Sequence, residues 1–392
     1  MKLKYVLFYK NLVQPGGAER LFFEVYSNLK AQGKDVEIVT FSYDTNAFFN
    51  YDVNAEDLIL ISGKTTLFKQ FFLTLYLLRN RSSRFICDSG HINFYLASFL
   101  SRISYSLHIH HPSFMTFNET DKYSIFASDS FKKLSESNYG AEEFLEAKKS
   151  LSFYQKIKIN IKALISILSI KKADNVFVLS EYAATEKNLI YGIKAHVLIP
   201  GLDESYFNHK ITNSFPSKNY SKVLLTLCRI DETKRLKELV DAFRIYSEIE
   251  KNTILWIAGD GPYRYELEKY TLSQNLNVKF LGFIKEESLL DLYASADLFV
   301  SIDRADFRIT ALEANVVGTK TLLSSETEPS AELVQSGFLQ TCEPNPESTA
   351  KAIHEFINIE PKISLEELHI ILKQFTWYNY TKDMVEIIDS KI

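Results

Sequence analysis

The chain has 392 residues, 46% hydrophobic and 24% charged, a balance that fits about two globular domains and excludes a disordered chain, a collagen-like fibre and a polytopic membrane protein. Its net charge of −4 is unevenly placed: residues 1–200 hold 24 lysines and arginines against 19 acids, and residues 201–392 hold 21 against 30. A mildly basic half beside an acidic one argues against a nucleic-acid binder and leaves the first half suited to anions or a membrane surface.

Three widely spaced cysteines, Cys87, Cys228 and Cys342, allow no disulfide framework and no CxxC metal knuckle, which suits the reducing cytoplasm. The apolar run after Met1 covers only residues 5–9 and no small-residue cleavage site follows, so no secretion signal is expected. No stretch reaches the roughly 18 apolar residues of a membrane span.

Residues 1–41 read as strand, glycine loop, helix, strand. An apolar run at 5–9 is broken by Gln14-Pro15-Gly16-Gly17. Leu21, Phe22, Val25, Tyr26 and Leu29 then recur at helical spacing up to Gly33, and 36–41 is the next strand. This βαβ unit opens a doubly wound sheet. Further strands are expected at 85–87, 104–110, 175–179 and 196–199. Two stretches, 64–84 and 156–172, are basic and apolar together. Each is read either as an amphipathic helix on the sheet or as a peripheral membrane contact with lysines toward lipid phosphates.

Residues 205–221 are polar, carry Pro216 and lack periodicity, so they read as a linker between a first domain at 1–204 and a second at 222–378. A second α/β series follows, with strands expected at 222–227, 253–258, 278–281, 297–301 and 320–324. Helical patterns fall at 235–248, 262–274, 285–294, 308–317, 330–336, 347–357, 364–374 and 379–391.

The second half carries the sharpest chemistry. Arg229 and Lys234 lie in the loop past strand 222–227, where two cations suit a diphosphate at a strand's C-terminal edge. Ala258-Gly259-Asp260-Gly261-Pro262 ends a strand in a glycine turn, with two of the three glycines of a dinucleotide fingerprint. Gly63-Lys64-Thr65 is no phosphate loop, because the first glycine would fall on Leu58. The loop after strand 297–301 holds Asp303, Asp306, Phe307 and Arg308, then opens a helix bearing Glu313. Amides at a helix start offer an anion site, and Glu313 reads either as a ribose ligand or as a surface glutamate. His108, His110 and His111 suggest a metal site, but no third ligand is apparent nearby, and a hydrogen-bonding or structural role fits better than zinc.

The order of these parts resembles retaining glycosyltransferases of the GT-B fold, most closely glycosyltransferase family 4. The resemblance is carried by Gly16-Gly17-Ala18-Glu19-Arg20, Arg229 with Lys234, Ala258-Gly259-Asp260-Gly261-Pro262, Phe280-Leu281-Gly282-Phe283, 296–301, Leu312-Glu313-Ala314 and Phe375-Thr376-Trp377. It implies two Rossmann-like doubly wound domains facing each other across a cleft, with a final helix at 379–392 crossing back onto the first. Arg229 and Lys234 would hold the donor diphosphate and neutralise the leaving nucleotide, without a metal or other cofactor. Glu313 would bind the ribose, Gly16 and Gly17 would approach donor and acceptor, and His110 would stand beside the transferred sugar.

The sequence departs from that family at Ala305, where the first acid of its E-x7-E motif belongs, and at Arg308, where it has glycine. Asp303 or Asp306 could reach the sugar by a shift of loop register, and Arg308 could favour an anionic donor sugar. Cys228 stands where the family usually has glycine. The implied activity is transfer of a sugar from a nucleotide-diphosphate donor, UDP or GDP type, to a glycan or lipid-linked acceptor at the inner face of a bacterial membrane. The alternatives are a catalytically silent homologue serving as partner subunit of another transferase, and a nucleotide-sugar epimerase.

Overall fold

The computed structural model describes residues 3–13, 16–48, 51, 53–88, 92–109, 152–212, 215, 220–305 and 307–390. The chain divides into two units: Met1–Pro200 with Trp377–Ile392, and Gly201–Thr376.

In the first unit, the described residues form a parallel sheet of β1 (Lys4–Phe8), β2 (Asp35–Thr40), β3 (Leu58–Leu60), β4 (Arg84–Asp88), β5 (Ser106–His108), β6 (Asn175–Val178) and β7 (His196–Val197). The order is β3-β2-β1-β4-β5-β6-β7. Strand order reverses between β1 and β4, as in a doubly wound sheet. Helix α1 (Gly17–Ala31) follows β1 and ends before Gly33, whose φ of 71° is the left-handed conformation that glycine tolerates. Helices α2 (Thr66–Arg79), α3 (Ile92–Ser101), α4 (Phe153–Lys172) and α5 (Glu181–Tyr191) carry the crossovers toward β7.

Alternating strand residues divide between the sheet's faces. Val6, Phe8, Phe85, Cys87, Leu107 and Val176 join one core with Leu73 and Leu77 of α2, Phe94 and Ala97 of α3, and Ile170 of α4. The terminal helix Trp377–Asp389 packs with α1. Its anchors are Gln32 Nε2 to Thr381 Oγ1 at 2.7 Å, Tyr5 Oη to Asp389 Oδ2 at 2.8 Å, and the buried Trp377, Tyr380 and Met384. His108 is buried against Phe177 and Tyr380 and lies 3.4 Å from the Tyr380 hydroxyl.

In the second unit, β8 (Lys222–Leu227), β9 (Thr253–Ala258), β10 (Val278–Gly282), β11 (Leu298–Ser301), β12 (Lys320–Ser324) and β13 (Leu339–Cys342) form a parallel sheet ordered β10-β9-β8-β11-β12-β13. Both faces are covered, which explains the continuous apolar runs. The order reverses between β8 and β11, so the loops after these two strands flank the crevice where α/β sheets bind ligands. The helices are α6 (Leu236–Ile249), α7 (Arg264–Ser273), α8 (Leu289–Ala294), α9 (Ile309–Val316), α10 (Ala331–Ser336), α11 (Pro346–Ile357) and α12 (Leu365–Leu372).

The expected linker is corrected. The described part of 205–221 belongs to the second unit. Tyr206 and Phe207 pack on that unit's core, and Asp291 holds the segment through His209 Nε2 at 3.1 Å and the Thr212 amide at 2.9 Å. Two aromatics and one buried carboxylate are enough to seat an otherwise polar run. The chain passes between units at 200/201 and 376/377, so Trp377 and Tyr378 belong with the final helix. Strands β3 and β13 were not expected: β3 has three residues at the sheet edge, and β13 mixes polar and apolar residues.

Candidate functional site

The crevice loops are built by close backbone approach. Gly259 has φ 116°, and a Cβ there would lie 1.9 Å from the Cys228 carbonyl oxygen. A Cβ on Gly261 would lie 2.2 Å from the Ile230 carbonyl oxygen. With both side chains absent, the segment after β8 pairs with the turn after β9: Cys228 N to Ala258 O at 3.1 Å and Ile230 N to Asp260 O at 3.0 Å. Gly259 and Gly261 therefore shape the loop that carries the cations. Burial, reinforced by the Asp303 charge, pushes the Cys228 thiol up to about 12, so it stays protonated and is no nucleophile.

Asp231 caps the short turn Glu232–Lys234 by accepting from the Thr233 amide at 3.0 Å. The next residue, Arg235, is left-handed at φ 49°. Such a conformation costs a non-glycine residue about 1 kcal/mol. Arg235 is held there by Nη1 donating to Ile302 O at 3.2 Å and to Glu326 Oε2 at 2.9 Å. That anchor aims the preceding Lys234 at the loop after β11.

There Lys234 Nζ donates to Asp303 Oδ2 at 2.9 Å, Ser301 Oγ donates to Asp303 Oδ1 at 2.8 Å, and Arg308 Nη2 pairs with the same carboxylate. Asp303 is 2% exposed. Burial works to raise its carboxyl, but the Arg308 and Lys234 cations prevail and hold it below the usual carboxylate range. Both of its oxygens are engaged by protein donors, so Asp303 positions cations. Arg308, 11% exposed in its side chain, likewise points at Asp303. Arg229 remains 68% exposed, with Nε 4.0 Å from Asp231 Oδ2.

Glu313 lies inside α9, 1% exposed, and accepts from the Tyr293 hydroxyl at 3.1 Å, so it is no surface glutamate. Phe307 packs on the core of the second unit. In the first unit, Gly16 precedes α1 in an extended conformation, and Gly17 has open space where a side chain would project. A Cβ on Gly16 would lie 2.6 Å from Glu19 Oε2, so a side chain there would have to displace that carboxylate, which also accepts from the Tyr9 hydroxyl. His110 and Asp306 lie outside the described residues, as do His91 and His111. Among the described residues, no group of three His, Cys, Asp or Glu is placed to hold a metal. The structure thus gathers Lys234, Asp303 and Arg308, with Arg229 on the same loop as Lys234. It adds Ser301, Arg235 and Tyr293, whose only sequence signals were a strand end, a second cation beside Lys234 and an aromatic at helical spacing.

Two units, each built on a parallel Rossmann-like sheet, match the GT-B fold. The structure of Anabaena Alr3699/HepE in complex with UDP-glucose superposes with a TM-score of 0.72 over 99% of this chain and 100% of that one, at 16% identity. Residues 208–369 match the family model for glycosyl transferases group 1. Among curated relatives, mannosylfructose-phosphate synthase of Agrobacterium fabrum is 32% identical over 155 residues, 34% of each chain. The GDP-mannose-dependent alpha-(1-6)-phosphatidylinositol dimannoside mannosyltransferase of Mycobacterium tuberculosis is 26% identical over 168 residues, 42% of this chain and 43% of the relative. The matches to these curated relatives thus span less than half of their length.

Proposed function

We propose that the protein is a retaining glycosyltransferase of family 4. It moves a sugar from a nucleotide-diphosphate donor to a hydroxyl of a glycan or lipid-linked acceptor, in surface polysaccharide synthesis at the inner face of a bacterial membrane. The observation that carries this reading is the Lys234–Asp303–Arg308 cluster beside Arg229 at the switch point of the sheet.

In this reading Arg229 and Lys234 bind the diphosphate. The bond between the sugar's anomeric carbon and the phosphate oxygen breaks, and its electron pair leaves with the nucleotide. The cations stabilise that growing charge. The acceptor hydroxyl attacks the same face of an oxocarbenium-like centre, its oxygen bonding the anomeric carbon while its proton passes to the departing phosphate oxygen, and the configuration is retained. Glu313 takes the ribose, and side-chain cations do the work that a metal clamp does elsewhere. The matched relatives' names include a GDP-mannose-dependent enzyme, and the Anabaena structure holds UDP-glucose. A UDP or GDP donor is proposed here on that support. The units at 1–200 and 201–376 would serve acceptor and donor respectively, with Gly16, Gly17 and His110 on the acceptor side.

The test is calorimetry with UDP, GDP, dTDP and ADP, then their sugar conjugates. One nucleotide should bind, and Arg229→Ala and Glu313→Ala should each abolish that binding. Lys234→Ala should lower turnover by roughly 10²–10³-fold, about 3–4 kcal/mol of transition-state stabilisation. Binding of none of the four would favour the silent partner subunit that Ala305 suggests. Near-normal turnover in Lys234→Ala would remove the mechanism.

A further inference from the structure

Two demands fall on Lys234. The structure holds its ammonium on Asp303, and the proposed reading needs it on a diphosphate. A buried carboxylate that loses its counter-ion is strongly destabilised. Lys234 can therefore turn to a ligand only if another cation stays behind with Asp303.

The two carboxylate oxygens of Asp303 are held differently. Oδ1 accepts from Ser301 Oγ at 2.8 Å and pairs with Arg308 Nη2. Oδ2 accepts from Lys234 Nζ at 2.9 Å. Arg308 Nη2 also donates to the Asp303 carbonyl at 3.3 Å, so the guanidinium grips both the side chain and the backbone of one residue. The Arg308 side chain is 11% exposed, and its Nε is buried without a hydrogen-bond partner among the described residues. The Lys234 side chain is 28% exposed, and Asp303 Oδ2 is the one acceptor that its Nζ has among the described residues. Lys234 ends the short turn Glu232–Lys234, whereas Arg308 leads directly into α9. Lysine is a point charge on a flexible stem, which can swing and rehydrate. A buried arginine held at two acceptors must break both to move. One cation on Asp303 is therefore built to stay and the other to leave.

We infer that Arg308 is the standing counter-ion of Asp303 and thereby releases Lys234 to a phosphate ligand. Arg308 acts through Lys234 and does not itself meet the ligand, so it is a positioning residue. With Ser301 and Arg308 on Oδ1, Asp303 keeps a hydrogen bond and a positive charge after Lys234 has turned away. Without Arg308, Lys234 would be the one described cation on a buried carboxylate and would remain there. The inference rests on the proposed reading for its ligand, a nucleoside diphosphate. It gives Arg308 a task other than contact with a donor sugar.

The experiment compares the parent chain with Arg308→Gln, which removes the charge but keeps an amide donor, and with Arg308→Gln plus Asp303→Asn, which removes both charges. The first readout needs no nucleotide: acetylation of Lys234 by an N-hydroxysuccinimide ester, timed by mass spectrometry. Arg308→Gln should slow it severalfold, because Lys234 is then held harder on Asp303. The double variant should return it to the parent rate or above. The second readout is calorimetry with UDP and GDP. Whichever binds the parent should bind Arg308→Gln roughly tenfold more weakly, and the double variant should recover most of that loss. Arg308→Lys keeps the charge and should stay near the parent in both. The double variant strands no buried carboxylate, so with Arg308→Lys it keeps the test open should Arg308→Gln not fold. Acetylation as fast in Arg308→Gln as in the parent, or slower in the double variant than in the parent, overturns the inference. So does a binding loss that Asp303→Asn does not recover, the result expected if Arg308 met the ligand through its own Nε. If neither nucleotide binds the parent, the proposed donor site fails, and the acetylation rates still decide the role of Arg308.

Discussion

Replacing Asp303 by asparagine keeps the side chain's size and one acceptor oxygen but removes the charge that two cations share. Asp303 is 2% exposed and receives Ser301 Oγ at 2.8 Å and Lys234 Nζ at 2.9 Å, besides Arg308. Breaking a buried ion pair costs about 3–5 kcal/mol. The Lys234 side chain is 28% exposed and can recover some hydration, which brings the expected loss to about 2–3 kcal/mol. For a unit of this size that is a fall in melting temperature of about 4–12 °C. Thermal unfolding followed by circular dichroism at neutral pH measures it. A bound nucleoside diphosphate should restore part of the loss, because phosphate supplies the missing negative charge. The pH dependence provides a second reading. The folded carboxyl sits below its unfolded value of about 3.9, so its contribution is complete above that pH and fades as pH falls through the folded value. The gap between parent and Asp303→Asn should therefore narrow below about pH 4. A melting temperature within about 1 °C of the parent, or a gap that ignores pH, would refute the cluster's role.

Gly259→Ala should cost about 3 kcal/mol or more, because the new methyl would meet the Cys228 carbonyl oxygen at 1.9 Å on a backbone at φ 116°; a urea midpoint equal to the parent's would contradict this. Lys320 Nζ donates to the carbonyls of Phe356, Ile357 and Ile359 at 2.6, 2.9 and 2.6 Å and so closes the end of α11. Lys320→Met should lose about 2–4 kcal/mol and speed hydrogen exchange in that helix, and protection unchanged from the parent would disprove the cap. With its thiol raised to about 12, Cys228 should react with iodoacetamide at pH 8 on the order of a thousandfold more slowly in the folded chain than in urea. Rates within tenfold of each other, read by mass spectrometry, would exclude that environment.

The second unit was the more legible in the sequence because its strands are buried on both faces. Thr253–Ala258 is apolar at nearly every position, and no competing period obscures it. Edge strands lack that signal: β3 is too short to show a period, and Gln340 and Thr341 dilute β13. Residues 205–221 read as a linker because they are polar, while the contact that seats their described part, Asp291 with Thr212, joins positions far apart in sequence. The site shows the same limit. Arg229 and Lys234 follow a strand at a spacing that suggests phosphate, and the glycine turn could be seen directly. That Gly259 and Gly261 serve a loop-to-loop approach, and that Asp303 is buried between Lys234 and Arg308, depends on where the β8 and β11 loops meet. Spacing along the chain holds no such distance.

The two passages between units, at 200/201 and 376/377, also set an order of assembly during synthesis. Residues 201–376 are contiguous and leave the ribosome complete, so that unit can fold as it emerges. The first unit cannot finish in turn, because the helix that covers α1 and receives the Tyr5 hydroxyl at Asp389 is made only after residues 201–376. At ribosomal speeds of 5–20 residues per second, the first sheet waits on the order of ten seconds with that side bare. The nascent first half is thus the stretch that most needs shielding, although it is the half made first.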